Sequence, residues 1–264
     1  MRRGALLAPG VRTVTAALRV RELAAAHRCT HDQRVLNRAT GWARQTSRLL
    51  VGGLGTGLVP PGATMGLGAD DPVARRAGRK IPAKGGSREA VRASTSHGIH
   101  GVGLQWGSRR RWGPVPWARR LGAWPCLTAL CGPAPQGGQR RHQTSVDGGR
   151  PMLRPGRLEA FCGTDLQATP VALLLWIVRR WSGAVTCEEA SAQRGVETPR
   201  PGADKAMART TPVVWGLCSW ITLLALPWRP GGQMPVPATA WYRTTAPTFA
   251  DCLALVRRPL GPSR

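Results

Sequence analysis

The glycines and prolines set the strongest limit on what this chain can fold into. Together 33 Gly and 23 Pro break nearly every apolar run among 264 residues, and each break raises the conformational entropy that burial has to offset. The large side chains that would do so are scarce. Leu, Val, Ile and Phe number 27, 19, 4 and 2, or 52 in all, just under the roughly 20% level at which strongly charged chains stay disordered. Ala and 11 Trp fill much of the remaining apolar content. The length allows one large or two small domains, and the composition predicts a loosely packed one.

The formal charge is +25, and it is carried almost wholly by arginine, since only Lys80, Lys84 and Lys205 supply the other basic side chain. A guanidinium fork matches phosphate geometry, so polyanions are the natural partners, bound with little sequence preference and steep salt dependence. GC-rich coding DNA gives the same bias, and both readings stay open. Seven cysteines have no knuckle spacing and an odd count, which favours a reducing cytoplasm over a disulfide framework. His27, Cys29 and His31, like His97 and His100, have no second ligand pair at zinc spacing.

Export is not expected, because the apolar run at Ala5 to Ala8 is too short for a secretory signal. The longest apolar stretch, 212–228, approaches membrane-spanning length but carries Thr, Ser and Gly, and reads as a buried helix with no membrane partner. Val11, Val14 and Leu18 predict an amphipathic helix within 11–26. Residues 52–68 read as a glycine-rich loop before a short strand that holds Met65 and Leu67 and delivers Asp70 and Asp71 at its end, where sheet enzymes mount carboxylates. Over 106–135, Trp and Arg alternate with Gly and Pro without a helical or strand period. Such a segment can stack on bases, but it reads first as disorder. Residues 132–157 form the best linker or junction. Order is expected to resume at Leu158, with a short buried helix over 171–178 and helices over 187–193, 213–226 and 250–258.

Several phrases run in order along the chain: GVRTVTAALRV and RVLNRAT, then VPPGATMGLGADDPVARRAGRKIPAKG, PVPWARRLGAWPCLTALC and RRHQTSVD, then FCGTDLQATPVALLLWIVRRW, GVETPRPGADKAMARTTP and WYRTTAPTFADCLALVRR. This series resembles the DDE transposases of bacterial insertion sequences, whose catalytic domain is RNase H-like. The resemblance implies metal-dependent DNA cleavage and strand transfer, with carboxylates holding two Mg²⁺ ions about 4 Å apart. It implies an α/β fold in which an RNase H-like domain is incomplete: a helical segment over 1–50, a first part of the domain over 51–131, the junction at 132–157, and a C-terminal part with a helical tail over 158–264, interrupted by long Gly/Pro/Arg-rich disordered stretches.

The family's first aspartate lies in an Asp-Asp-Thr phrase, here Asp70, Asp71 and Pro72, and Asp71 matches the catalytic position. The second lies in a Val-Asp-Gly-Gly phrase, here Val146 to Gly149, which makes Asp147 the second catalytic and metal-ligating candidate. The preceding RRHQTS matches an earlier part of the family, as though two distant segments were fused. The third acid follows an arginine with three residues between them, and counting from Arg180 lands on Ala184. Ile177 and Ser191 stand at the family's tyrosine and lysine positions. Glu188 and Glu189 lie a helical turn further on, about 6 Å along the axis. DNA contacts are assigned to Arg79, Lys80, Lys84 and Arg180. The implied partner is DNA, including the terminal inverted repeats of the element, with a homodimer as one option and a nucleoid-associated, cytoplasmic location. A methyl group at the third ligand position predicts a copy without normal strand cleavage. Two alternatives stand beside it: a non-catalytic basic DNA-binding protein, and a decayed reading frame with no selected role.

Overall fold

The computed structural model describes residues 2–8, 13–20, 22, 23, 34, 37, 38, 40, 43–61, 66–75, 81, 83–88, 100–118, 120–132, 151–154, 157–160, 167, 169–179, 181, 182, 185, 204–229, 233–236 and 247–260. They form a mixed α/β structure. In chain order the elements are α1 (Arg2–Leu7), α2 (Val14–Arg19), α3 (Ala43–Leu58), β1 (Gly66–Asp70), β2 (Val73–Arg75), β3 (Lys84–Arg88), β4 (His100–Pro114) and β5 (Leu121–Leu130). A two-stranded ribbon of β6 (Pro151–Arg154) and β7 (Arg157–Ala160) follows, then α4 (Pro170–Arg179), α5 (Asp204–Ala225) and α6 (Phe249–Arg257).

The five-stranded sheet is built on β4, to which each of the other four strands pairs antiparallel. Opposite edges are settled by the register. Leu104 pairs with both Ala74 of β2 and Lys84 of β3, and Arg111 pairs with both Leu67 of β1 and Trp124 of β5. The Trp106 N–H donates to the Pro72 carbonyl at 3.0 Å, which carries the β1 edge on into β2. The stretch 106–135, expected first as disorder, therefore supplies most of the central strand β4 and all of β5. Its period of two is present but disguised: Leu104, Trp106, Ser108 and Arg110 are all buried, and two of these four side chains are polar. Buried positions then change phase to Arg111, Gly113 and Val115.

That change of phase lies beside a bulge. Arg109 pairs with Leu127 and Arg110 with Pro125, so Cys126 has no partner on β4. Pro125 has no N–H to give to a ladder, and a bulge is one of the few places a sheet tolerates it. The Ser219 hydroxyl of α5 donates to the Pro125 carbonyl at 2.7 Å, satisfying an acceptor inside the core. The Trp124 indole likewise donates to Thr222 Oγ1 at 3.2 Å.

Of the glycine-rich run 52–68 expected as a loop, residues 52–58 form the second half of α3 and 66–68 already belong to β1. Leu50, Leu54 and Leu58 recur every fourth residue and are all buried, against Val115, Trp124 and Cys126. Glycine in a helix interior costs about 1 kcal/mol relative to alanine. Here a Cβ on Gly57 would meet Leu226 Cδ1 at 2.9 Å, and one on Gly53 would meet Leu223 Cδ1 at 3.1 Å. The bare face is what lets α5 approach this closely.

The predicted buried helix of the C-terminal half is α5, which begins earlier than expected and contains Pro212. Val214, Trp215, Cys218, Ile221 and Ala225 pack with Phe249, Cys252, Leu253 and Val256 of α6 and with Leu6 of α1. Within Asp204–Trp228 an 18-residue window has the length and mean hydropathy (1.3) to cross a membrane, and 44% of that window is buried in this structure. α6 matches its predicted span and starts on a capping box, in which Thr248 Oγ1 accepts from the Asp251 N–H and Asp251 Oδ2 accepts from the Thr248 N–H at 2.8 Å. Arg257 caps α1 from the far end of the chain, donating to the Leu6 carbonyl at 3.0 Å and the Ala8 carbonyl at 3.2 Å.

α4 departs from the sequence expectation. It is a helix, but Val171, Leu175 and Val178 are 64, 54 and 64% exposed, so its apolar stripe faces outward. Of the predicted amphipathic helix in 11–26, Val14–Arg19 is helical, capped by Thr13, whose hydroxyl accepts from the Ala16 N–H at 3.1 Å. The predicted helix over 187–193 lies outside the described residues.

Removing the Ser219 hydroxyl strands the Pro125 carbonyl in the core. Ser219→Ala is expected to lower the unfolding free energy by about 1–3 kcal/mol, read as a reduced midpoint in urea at constant m-value.

Candidate functional site

The sequence places two carboxylates at the end of β1, and the structure puts them at the junction between β1 and β2. Asp70 is the last residue of β1, paired with Ser108. Asp71 follows it, and Pro72, without an N–H, ends one ladder while its carbonyl starts the next. The two side chains are linked through the backbone: the Asp71 N–H donates to Asp70 Oδ1 at 3.0 Å.

Each carboxylate already has a protein donor. Asp70 Oδ2 lies 3.0 Å from Arg110 Nη2, with the arginine side chain 4% and the aspartate side chain 47% exposed. The contact is an ion pair rather than an aligned hydrogen bond, and Arg110 Nε has no acceptor among the described residues. The Arg110 guanidinium carbon sits 4.9 Å from the centroid of the Trp215 ring, so the arginine is held between a carboxylate and an indole face. Asp71 Oδ2 accepts from Gln105 Nε2 at 3.0 Å. Arg110, Gln105 and Trp215 were not legible as site residues. The first sits in a run of three arginines within the stretch expected first as disorder, and the last is more than a hundred positions away.

The other predicted residues are dispersed. Lys84 is the first residue of β3, half-buried, on the edge of β4 opposite to Asp71. Asp147, Arg79, Lys80, Arg180 and Ala184 lie outside the described residues, as do Glu188 and Glu189. Among the described residues, no three His, Cys, Asp or Glu side chains gather closely enough to hold a metal ion.

These donors do not fit a pair of Mg²⁺ ions. Two dications about 4 Å apart are held only where several hard acidic oxygens offset their mutual repulsion, and a guanidinium beside one of those oxygens takes up negative charge and adds repulsion of about 4 kcal/mol at 4 Å near a protein surface. Here the carboxylate beside Asp71 is held by a guanidinium at 3.0 Å. The described arrangement is an ion-paired strand junction, able to order the Asp-Asp-Pro turn and to anchor a buried arginine.

Arg111, the next residue, is also buried and donates from Nη1 to the Val51 carbonyl of α3 at 3.1 Å. Cys126, the unpaired residue of the bulge, lies near it. Burial pushes this thiol up from 9.0 to about 11, opposed in part by the Arg111 backbone donor and charge. The chain matches no protein-family model, no curated protein and no solved structure.

Two measurements follow from this electrostatics. Asp70→Asn leaves the buried Arg110 without its counter-charge. Since the aspartate is half exposed, solvent screening reduces the cost of a fully buried break to about 1–2 kcal/mol, and the double variant Asp70→Asn/Arg110→Met should recover it in chemical denaturation. For Cys126 the folded thiol holds its proton to higher pH than the unfolded one. Its contribution is present below pH 9 and lost as pH rises towards about 11. The thermal midpoint of the natural chain should therefore fall more steeply across this window than that of Cys126→Ala.

Proposed function

We propose that this chain is a relative of the DDE transposases that binds DNA and does not cut it. The observation that carries the reading is the Asp70–Arg110 ion pair, which commits the carboxylate beside the proposed catalytic Asp71 to a cation of the protein itself. The charge of +25 supports DNA as the partner, as do the exposed side chains of Arg44 and Arg48 on α3 and of Arg75, Arg109 and Arg120 on and beside the sheet. The RNase H-like ancestry of the α/β fold, the Mg²⁺ dependence of the intact enzymes, the terminal inverted repeats as ligand and a cytoplasmic, nucleoid-associated location belong to the same proposal. In it, Asp71 and Asp147 are remnants of a metal site, and Arg79, Lys80, Lys84 and Arg180 contact phosphates.

A decayed reading frame is the second reading, and a specific observation favours it. The indole N–H groups of Trp106, Trp117 and Trp215 and the Nε atoms of Arg110 and Arg111 are buried without acceptors among the described residues. Each such group costs about 1–3 kcal/mol, and five of them weigh heavily against a typical stability of about 5–15 kcal/mol.

Three assays separate the readings. Duplex binding measured by fluorescence anisotropy should weaken by a factor on the order of 10³ between about 50 and 200 mM salt, and an affinity indifferent to salt would overturn the DNA-binding reading. Supercoiled plasmid should stay intact with magnesium or manganese. Nicking that disappears in Asp71→Asn would show a working enzyme instead. A cooperative thermal transition is expected, and its absence favours decay.

A further inference from the structure

Between the sheet and the C-terminal helices lies a cleft of about 250 Å³ that the aspartate pair does not reach. Its wall carries three tryptophans from three parts of the chain: Trp117 from the turn after β4, Trp124 from β5 and Trp181, two positions beyond the last residue of α4, with Arg120 among the lining residues. Two of the three are fixed. Trp124 is 6% exposed and its indole N–H is committed to Thr222 Oγ1, while Trp117 packs against the two larger core clusters. Trp181 is the exception, 70% exposed at the cleft. An indole left this bare, on a chain with so few large apolar side chains, has an uncovered π-face next to a basic rim.

We propose that this cleft takes an unpaired base, which makes the chain a binder of single-stranded nucleic acid in preference to duplex. The inference rests on the nucleic-acid reading above and narrows its ligand. Charge selects the class of occupant, because a net +25 and Arg120 at the rim recruit polyanions. Size selects the part of it that enters: the volume falls below the roughly 300–1,000 Å³ of sites for drug-sized ligands, and is suited to one flat ring system with its sugar and phosphate left outside. The lining selects the mode of binding, since indoles offer stacking to any base and no hydrogen-bond code. A paired base presents no free π-face, so a duplex meets only the arginines.

The test compares the natural full-length chain with Trp181→Ala and Trp181→Phe, using labelled oligo(dT), oligo(U) and a duplex of the same length, by anisotropy at two salt concentrations. The oligonucleotides are expected to bind more tightly than the duplex. Trp181→Ala should weaken their binding about ten-fold, within the range for loss of one stacked base. Its duplex affinity and salt slope should stay unchanged, and Trp181→Phe should restore much of the loss. The tighter of oligo(dT) and oligo(U) identifies DNA or RNA as the source of the base. Because Trp181 is exposed, the alanine variant is expected to keep the natural far-ultraviolet spectrum and melting midpoint. Equal losses on single strand and duplex, or no loss on either, overturn the stacking proposal while leaving duplex binding intact. Failure of the natural chain to bind any of the three ligands overturns the nucleic-acid reading itself.

Discussion

Four strands hydrogen-bond to β4, and the rest of the structure depends on that strand reaching far enough to hold them. Its 15 residues carry β1 and β2 along one edge and β3 and β5 along the other. None of the four outer strands pairs with another, so each gains its ladder only once β4 is extended. The helical layer depends on the same strand at one remove. α5 packs mainly on β5, α3 packs on both, and α6 with α1 closes over α5. A sheet organised this way has little redundancy, and a break in β4 removes the partner of every other strand at once.

Its cost is concentrated where Arg110 and Arg111 enter the interior. Two adjacent arginines, each 3% exposed, stand against two different helices. Arg110 reaches the Trp215 face of α5, and Arg111 reaches the Val51 carbonyl of α3. Among the described residues, the first alone has a carboxylate partner. Burial of charge at this price is weak evidence for stability. It does fix geometry, because the bulge at Cys126, the change of buried phase along β4 and the placement of Asp70 all meet within a few residues of this pair. Asp70 thus acts as the counter-charge of a structural arginine, while Asp71 accepts from Gln105.

Much of the helical structure was legible in the sequence, because helices declare themselves locally. Leu253 and Val256 with Phe249 and Cys252 give α6 its face, Thr248 and Asp251 give it a start, and Pro259 lies just beyond its end. The apolar run from Val213 predicted α5, although its amino-terminal turns from Asp204 carried no apolar signal. The strand leading to Asp70 was found as well. The central hairpin was missed, since Ser108 and Arg110 occupy inward positions and hide the alternation that Leu104 and Trp106 begin. α3 was read as a loop in its second half because glycine spacing is silent about what packs against a bare face. The site followed the same division: Asp70 and Asp71 were named from their phrase, whereas Gln105, Arg110 and Trp215 were not.

By itself the sequence determined the charge of the molecule, the scarcity of side chains able to build a core, the span of α6 and the apolar carboxyl-terminal part of α5, and the adjacency of two carboxylates at a strand end. These follow from composition or from spacings within one or two turns, and no distant residue alters them. Tertiary structure alone decided which arginines would be buried and which acid would neutralise one of them. It also decided that Gly53 and Gly57 would form a bare helix face against Leu223 and Leu226, and that Trp181 and the stripe of α4 would remain uncovered. The reason is that burial is a property of pairs. Pro125 gains its hydrogen bond from Ser219, 94 positions away, and local pattern carries no information about a partner at that distance.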